Sequence, residues 1–206
     1  MLKTLPLVSI VIPTTHDRWK YNRRIIQIAR NQDYVNKEIV FDHGDGMIGV
    51  KRSRLASVAK GEIICHMDSD DLYANDWVSK SVNFLLDHNA DVTGLQNIRF
   101  WNEEKKKGWQ YHWAGTPWMS GATMCYWRNL VKRYPFPEAQ YGEDTNWLKS
   151  LPASTEILFH DYTDGFVATI HSANTMGKEV NNMLNFTILS TFEEEKIKKT
   201  WEGLLF

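Results

Sequence analysis

The sequence of 206 residues has little cysteine, almost no net charge and no long apolar run, and each absence excludes a class of protein. Its two cysteines, Cys65 and Cys125, are too few for a disulfide framework and lack the spacing of zinc ligands. A net charge of -1 disfavours a mainly electrostatic nucleic-acid binder. No apolar run approaches the ~20 residues that cross a bilayer. We therefore expect a soluble protein in a reducing, cytoplasmic setting.

Tryptophan, by contrast, is abundant. The chain has nine, and five of them fall in one stretch: Trp101, Trp109, Trp113, Trp118 and Trp127. Such a concentration of flat apolar side chains indicates either core packing or a surface that stacks on a ligand.

The first half of the chain alternates apolar runs with helical patterns. Runs at 7–12, 37–41 and 62–67 predict three buried parallel strands. The first run is too short for a signal peptide and is not followed by a small-residue cleavage site. Helices are predicted between them, the second ending at Gly61, and a third helix is predicted to follow an Asn75 cap. This alternation predicts an α/β fold with right-handed crossovers.

The second half predicts strands that extend the same sheet in antiparallel or mixed fashion. They are expected at 91–101, 109–113, 122–127, 156–160 and 165–170. Short helices are expected at 129–134 and 144–151, and the chain is expected to be helical from about Lys178. Because no repeat or linker interrupts the sequence, a single domain over 1–206 is predicted.

Polar clusters follow each of the three predicted parallel strands, at 14–18, 42–45 and 68–71. Ligands of open parallel sheets bind beyond the carboxyl ends of the strands, so these clusters should converge on one crevice. The last cluster has three aspartates within four residues. Carboxylates this close repel unless a cation neutralises them, and oxygen ligands favour Mg²⁺ or Mn²⁺. A solvated turn followed by a helix cap is the alternative for so short a motif.

Longer motifs around these clusters resemble those of family 2 glycosyltransferases. The segment GVKRSRLASVAKGEIICHMDSDD (49–71) resembles the helix, hydrophobic strand and acidic motif of that family. Five further segments resemble other family motifs in the same order: VSIVIPTTHDR (8–18), KEIVFDHG (37–44), SGATMCYWRNLV (120–131), YGEDTNWLKSL (141–151) and HSAN (171–174). His43 and Ser53 depart from the usual residues of their motifs. The QxxRW motif of processive synthases is absent, so the resemblance implies a non-processive enzyme.

The resemblance implies a GT-A fold, which is a Rossmann-like, mostly parallel mixed sheet flanked by helices. It also implies metal-dependent, inverting transfer of a sugar from a nucleotide-diphosphate donor, with a UDP-sugar favoured, to an acceptor hydroxyl. Mn²⁺ or Mg²⁺ would be bound by Asp70, with Asp68 and His171 contributing. Asp144 would be the general base, with Glu143 as the alternative.

Donor binding is expected in the half of the chain at 1–98. The positions assigned to it are Pro13, Thr14, Thr15, Arg18, Asp42, Arg52, Asp68 and Ser69. Lys51 and Arg54 are expected to be solvated helix residues, and His66 is assigned no role.

The acceptor, a carbohydrate or glycolipid precursor, is expected in the half at 99–175, where Trp113, Trp118 and Gly121 are assigned to bind it. The segment 176–206 is expected to pack on its own domain, with a second subunit or peripheral attachment to a membrane as alternatives. No membrane-spanning segment is expected, and the oligomeric state is left open.

Three other functions remain open. A nucleotidyltransferase also combines such a sheet with carboxylate-bound Mg²⁺, but it has a glycine-rich loop after the first strand, where this chain has TTHDR. A non-catalytic sugar- or nucleotide-binding domain would have lost its base, whereas Glu143 and Asp144 are present. A hydroxylated DNA base is a minor acceptor option that the near-neutral charge disfavours.

Overall fold

Strands and helices alternate in the first half of the chain as the apolar runs predict, except that a short strand, Leu72–Tyr73, directly follows the strand Ile63–His66. The computed structural model describes residues 5–113, 115, 118–172, 174 and 186–201. The strands of this part are β1 (Val8–Pro13), β2 (Lys37–Asp42), β3 (Ile63–His66), β4 (Leu72–Tyr73), β5 (Val92–Gly94), β6 (Ile98–Asn102), β7 (Lys107–Tyr111), β8 (Cys125–Trp127), β9 (Ile157–Phe159), β10 (Phe166–Ile170) and β11 (Phe186–Ile188). Its α-helices are α1 (Trp19–Arg30), α2 (Ile48–Val58), α3 (Trp77–Asp87), α4 (Arg128–Arg133), α5 (Glu143–Ser150) and α6 (Thr191–Thr200). Among these described helices, none combines the length and the apolar character that a bilayer crossing requires.

The first sheet has six strands in the order β2-β1-β3-β8-β5-β9. Strand β1 pairs in parallel with β2 and β3, which confirms the three predicted parallel strands, and β8 lies antiparallel between β3 and β5. Every residue of β1 is buried, because Ile10 and Ile12 pack in one core with α1 while Val11 packs in another with α2. Burial on both faces explains the continuous apolar run of this strand.

A second sheet, in the order β11-β7-β6-β10-β4, corrects the expectation that the later strands extend the first. The strand predicted at 91–101 is two strands, with β5 in the first sheet and β6 in the second. Between them, the N–H of Ser120 donates to the Leu95 carbonyl at 3.0 Å, and the N–H of Leu95 donates to Thr123 Oγ1 at 3.0 Å. These bonds to the 120–123 loop take Leu95 out of the strand ladder, so the chain changes sheets there.

Two predicted helix ends are also wrong. Helix α2 ends at Val58, and Gly61 is needed for a different reason. A Cβ atom at Gly61 would lie 2.6 Å from the backbone nitrogen of Ser9, so glycine allows the chain to pass close to β1. The N-cap residue of α3 is Asp76 rather than Asn75.

The C-terminal helix α6 packs on its own domain, as expected. A capping box at Ser190 begins the helix, and Ile197 and Trp201 are buried in the main core. Strand β11 precedes α6, which contradicts the expectation of helix throughout this segment. The beginning of that predicted helix, at Lys178, lies outside the described residues, as do residues 202–206.

His160 is a buried imidazole that the fold keeps neutral. It is 8% exposed, it packs against Trp77 and Phe84, and neither ring nitrogen has a hydrogen-bonding partner in the described part of the chain. Burial lowers the pKa of His160 to about 4 from an ordinary value of 6.5. Between these pH values the unfolded chain binds more protons than the folded one, so this contribution to stability is lost as the pH falls from 6.5 to 4.

We expect this group alone to reduce the free energy of unfolding by up to about 3 kcal/mol between pH 6.5 and 4. A His160→Leu variant should lose that part of the pH dependence in urea titrations at the two pH values. The same substitution at the exposed His112 is the matched control and should keep the wild-type dependence. A wild-type dependence in His160→Leu would contradict the prediction.

Candidate active site

The carboxyl ends of β1, β2 and β3 lie side by side at one edge of the first sheet. Pro13 is opposite Asp42, and Val11 is opposite His66. The polar segments that follow the three strands therefore meet, as their positions in the sequence predict. An ion pair between Arg18 and Asp70, with 3.0 Å between Nη1 and Oδ2, joins the first segment to the third.

The Asp70 carboxylate contacts side chains from two distant parts of the sequence. Its Oδ2 accepts from Arg18 and from Asn174 Nδ2 at 3.2 Å, and it lies 3.2 Å from His171 Nε2. The ring of Tyr21, on α1, stacks on His171 with 4.4 Å between ring centroids. The structure thus brings together Arg18, Asp70 and His171, which the sequence assigned to one site.

The neighbouring Asp71 fastens this segment to the second sheet. Its Oδ1 accepts from the Thr169 N–H of β10 at 2.9 Å, and the Asp70 carbonyl accepts from Thr169 Oγ1 at 2.5 Å. Asp71 is only 3% exposed, so it positions the cluster of aspartates at 68–71, which we call the acidic segment.

Arg52 is the central residue of a buried ionic network. It is 2% exposed, and its Nε donates to Glu143 Oε1 at 3.1 Å while its Nη1 lies 3.3 Å from Asp68 Oδ1. Burial opposes the charge of the guanidinium, but the carboxylates of Asp68 and Glu143 raise the pKa of Arg52 above its ordinary value. One side chain of α2 therefore holds the acidic segment and the start of α5 at a fixed distance. A contact of Arg52 with a donor diphosphate stays a prediction.

His66 completes this network, and the sequence analysis missed it. Its Nδ1 lies 2.7 Å from Arg52 Nη1, and its Nε2 lies 2.7 Å from the Tyr126 hydroxyl. Burial, and then the charge of Arg52, lower the pKa of His66, so the ring is neutral. Because a guanidinium can only donate, Nδ1 is the acceptor and the proton sits on Nε2. A histidine inside the apolar run of β3 was the available signal, since a buried polar group needs a partner.

The two acidic residues at the start of α5 have different environments. Glu143 is 6% exposed and paired with Arg52, and burial raises the pKa of its carboxyl. Asp144 is half-buried; its Oδ2 accepts from the Gly121 N–H at 3.0 Å and its Oδ1 from the Thr145 N–H at 2.6 Å. A Cβ atom at Gly121 would lie 2.8 Å from Arg52 Nη2, so only glycine fits here without displacement. The geometry leaves Asp144 as the carboxylate that a ligand in the crevice can reach.

At the ends of β1 and β2, backbone and side chains are already bonded to α2, and the expectation that Lys51 is solvated is wrong. Lys51 is 5% exposed and its Nζ donates to the Thr14 carbonyl at 2.7 Å. Arg54 donates to both oxygens of Asp42, at 2.6 and 2.9 Å. Lys51 is thus a buried residue that binds a backbone carbonyl, whereas Arg54 is exposed, as expected, and is also paired with a carboxylate of another element. Burial works to raise the pKa of Asp42, but the bonds from Arg54 and the Gly44 N–H hold it below its ordinary value.

Thr14, Thr15 and Ser69 are the remaining positions assigned to donor binding. Thr14 Oγ1 donates to Asn22 Oδ1 at 2.5 Å, and the Thr15 carbonyl accepts from Asn22. Ser69 is fully buried, and its hydroxyl has no partner among the residues described. His43, which departs from the expected motif, stacks on His16 with 4.8 Å between ring centroids. The rings of His16 and His43 therefore form part of the wall where the segments after β1 and β2 meet.

The sequence profile of glycosyl transferase family 2 matches residues 42–148, just over half of the chain. The chain belongs to this family. The matched range includes Arg52, the acidic segment and the start of α5, and it excludes β1 and His171. A comparison with curated proteins gives no match.

Solved structures share the fold of this family 2 chain. TarS of S. aureus (1–349), in complex with UDP-GlcNAc, superposes with a TM-score of 0.62 at 17% identity, over 84% of this chain and 61% of that one. The mannosyltransferase PcManGT from Pyrobaculum calidifontis, in complex with GDP-Man and Mn2+, gives a TM-score of 0.60 at 15% identity, over 82% of this chain and 57% of that one. The chain thus spans about three-fifths of each. These likenesses confirm the GT-A fold.

The expected metal ligands Asp70 and His171 lie close together in this family 2 chain. No group of three or more His, Cys, Asp or Glu side chains within the described ranges is arranged to hold a metal ion. Asp70 Oδ2 and His171 Nε2, however, are 3.2 Å apart. Adjacent ligands of an octahedral ion at about 2.1 Å are about 3 Å apart. The pair therefore fits two neighbouring positions of such an ion, with the others left for a ligand and water.

Some tryptophans of the stretch 101–127 pack in the core, and two others form a half-buried cluster. Trp101 is fully buried, and Trp127 donates its indole N–H to the Ala90 carbonyl. Trp113 and Trp118 are half-buried and lie 5.5 Å apart between ring centroids. Trp118 is three residues before Gly121, the donor to Asp144. Trp118 is thus close along the chain to the backbone that binds Asp144, and Trp113 lies beside it.

Proposed function

We propose that this chain is a metal-dependent, inverting glycosyltransferase. It takes a sugar from a nucleotide-diphosphate donor, a UDP-sugar first and a GDP-sugar second, and transfers it to a hydroxyl of a carbohydrate or glycolipid precursor. The observation that carries the proposal is the contrast at the start of α5. Glu143 is paired with the buried Arg52, whereas Asp144 accepts from two backbone N–H groups and is only half-buried.

Asp144 acts as the general base. The Gly121 and Thr145 N–H groups orient its carboxylate. Oδ1 also accepts from the Thr145 hydroxyl at 3.3 Å, so Oδ2 is the oxygen that keeps a lone pair for an acceptor proton. The acceptor oxygen attacks the anomeric carbon from the side opposite the diphosphate. The new C–O bond forms as the bond to the diphosphate breaks, and the hydroxyl proton passes to Asp144. Backside attack inverts the configuration at that carbon.

Charge on the departing diphosphate is balanced at the other end of the site. Asp70 and His171, with Asp68 nearby, are the residues that would hold Mn²⁺ or Mg²⁺, which when bound would supply positive charge to the phosphate oxygens. Arg18, whose side chain is 18% exposed, lies at the same carboxylate and contributes a fixed cation. Pro13, Thr14, Thr15, Asp42 and Ser69 remain our assignments for the nucleoside side.

The aromatic cluster provides a surface for the acceptor. Trp113 and Trp118 present partly exposed ring faces of the kind that stack on sugars. Gly121, where a Cβ atom would lie 2.8 Å from Arg52 Nη2 and 3.2 Å from the Asp144 Cβ, lets this backbone pack directly against Asp144, and we assign acceptor binding to it.

The proposal predicts that the protein slowly hydrolyses a nucleotide sugar when no acceptor is present. With Mn²⁺ and a panel of UDP-GlcNAc, UDP-glucose, UDP-galactose and GDP-mannose, at least one donor should release its nucleoside diphosphate without acceptor. Asp70→Asn should weaken the Mn²⁺-dependent affinity for that donor roughly tenfold or more in calorimetry. Asp87→Asn, an exposed position on α3, is the matched control and should bind as the wild type does.

Absence of both hydrolysis and binding across the panel would overturn the proposal. Release of pyrophosphate from a nucleoside triphosphate and a sugar phosphate would instead identify a nucleotidyltransferase.

A further inference from the structure

Helix α1 has an outward face that carries positive charge and an exposed tryptophan. At 100° per residue, five exposed positions fall within an arc of about 100° on the side opposite the buried residues of the helix. They are Trp19, Lys20, Arg23, Gln27 and Arg30, and we call them the α1 face. Trp19 is 64% exposed, the largest exposure among the aromatic side chains described as exposed.

The charges of the α1 face are not neutralised by the protein itself. Lys20, Arg23 and Arg30 form no ion pair with a carboxylate in the described ranges. Residues 18–32 contain five basic side chains and no acidic one, between Asp17 and Asp33, in a chain with a net charge of -1. Arg18 and Arg24 are paired with Asp70 and Glu103, so, within the part of the chain that the structure describes, the unpaired charges of this segment are those of the α1 face. The surface is therefore a local positive patch, complementary to an anionic partner rather than a consequence of overall charge.

We propose that the α1 face docks on an anionic lipid surface. Lys and Arg side chains near such a surface each contribute attraction, and their stems reach from the helix to the headgroups. Trp19 distinguishes a membrane from a soluble polyanion, because an indole is most stable where an apolar and a wet phase meet. The short helix lies flat on the surface and does not cross it.

The position of the α1 face links docking to the site. Trp19 directly follows Arg18, which is paired with Asp70, and Tyr21 stacks on His171. Docking would bring this end of the crevice to the lipid surface. If the proposed function holds, that placement suits an acceptor hydroxyl on a glycolipid; lipid binding itself requires neither donor nor transfer.

Sedimentation with vesicles tests the proposal. The intact chain should bind vesicles of phosphatidylcholine with phosphatidylglycerol at low salt, bind pure phosphatidylcholine far less, and be released at about 0.5 M salt, where the screening length is only a few ångströms. Arg23→Glu with Arg30→Glu should weaken binding about tenfold or more. Lys132→Glu with Arg133→Glu, the same charge change on the exposed end of α4, is the matched control and should bind as the wild type does. Trp19→Ala should weaken binding several-fold with little change in its salt dependence.

Equal binding to both kinds of vesicle, or wild-type binding by the Arg23→Glu, Arg30→Glu variant, would overturn the proposal. Tighter binding to single-stranded nucleic acid than to anionic vesicles at the same salt would also overturn it. Donor hydrolysis without vesicles tests the proposed function alone, so the two failures are distinguishable.

Discussion

An Asp144→Asn variant should bind the donor as the wild type does and lose sugar transfer by a factor of about 10² to 10⁴, the range that general-base catalysis contributes. Asparagine keeps the shape of the side chain and one oxygen that can accept from the Gly121 N–H, so the loop should stay beside α5, although the bond from the Thr145 N–H is lost. It cannot take the proton of an acceptor hydroxyl. The expected signature is therefore a reduced kcat with an unchanged calorimetric Kd for the donor.

Glu143→Gln is the informative comparison for this variant. Glu143 is paired with Arg52 and buried, so its amide would disturb the ionic network and lower the free energy of unfolding. Asp144→Asn, at a half-buried position, should leave stability near the wild-type value. Turnover by Asp144→Asn within about threefold of the wild type, together with a deep loss in Glu143→Gln at equal stability, would transfer the role of base to Glu143.

The elements that sequence analysis predicted best are those whose signal is local. A strand buried on both faces, such as β1, must be apolar at every position, and its run of residues shows this directly. The acidic segment directly follows β3, so its place at the edge of the sheet follows from the strand itself. The convergence of the segments after β1 and β3 was predicted in the same way, although the ion pair between Arg18 and Asp70 that joins them was not.

The expectations that failed depend on partners distant in sequence. The run at 91–101 has strand propensity throughout, and only the loop at 120–123 breaks it by bonding to Leu95. Lys51 belongs to a run with the composition of a solvated helix surface, yet it is buried and donates to the Thr14 carbonyl. No local pattern encodes acceptors supplied by another element.

The ionic network shows the same limit at the site. Arg52 was recognised from its motif, but its partners Glu143 and His66 lie 91 and 14 residues away along the chain. The contact with Glu143 requires α5 to pack against α2, and the contact with His66 requires α2 to pack on the first sheet. The sequence therefore predicted which residues gather at the site more accurately than it predicted the bonds between them.

That network makes Arg52 the residue whose loss should cost the most stability. Arg52→Met leaves the carboxylate of Glu143 buried and unpaired and removes the hydrogen bond to His66, so the free energy of unfolding should fall by about 3 to 5 kcal/mol in urea titrations. Arg52→Lys should recover only part of this loss, because a single ammonium cannot contact Glu143, Asp68 and His66 as the guanidinium fork does.

The matched control is Arg54→Met, in the same helix and also paired with a carboxylate, that of Asp42. The Asp42 side chain is itself only 9% exposed, but the Arg54 side chain that covers it is 42% exposed, so removing Arg54 opens the carboxylate to water. Asp42 also keeps the hydrogen bond from the Gly44 N–H, so the loss of stability should be smaller than in Arg52→Met. Combining Arg52→Met with Glu143→Gln should cost less than the sum of the two single changes, since the second removes the charge that the first leaves uncompensated. Equal losses in Arg52→Met and Arg54→Met, or strict additivity in the double variant, would show that this network does not hold the start of α5 to the acidic segment.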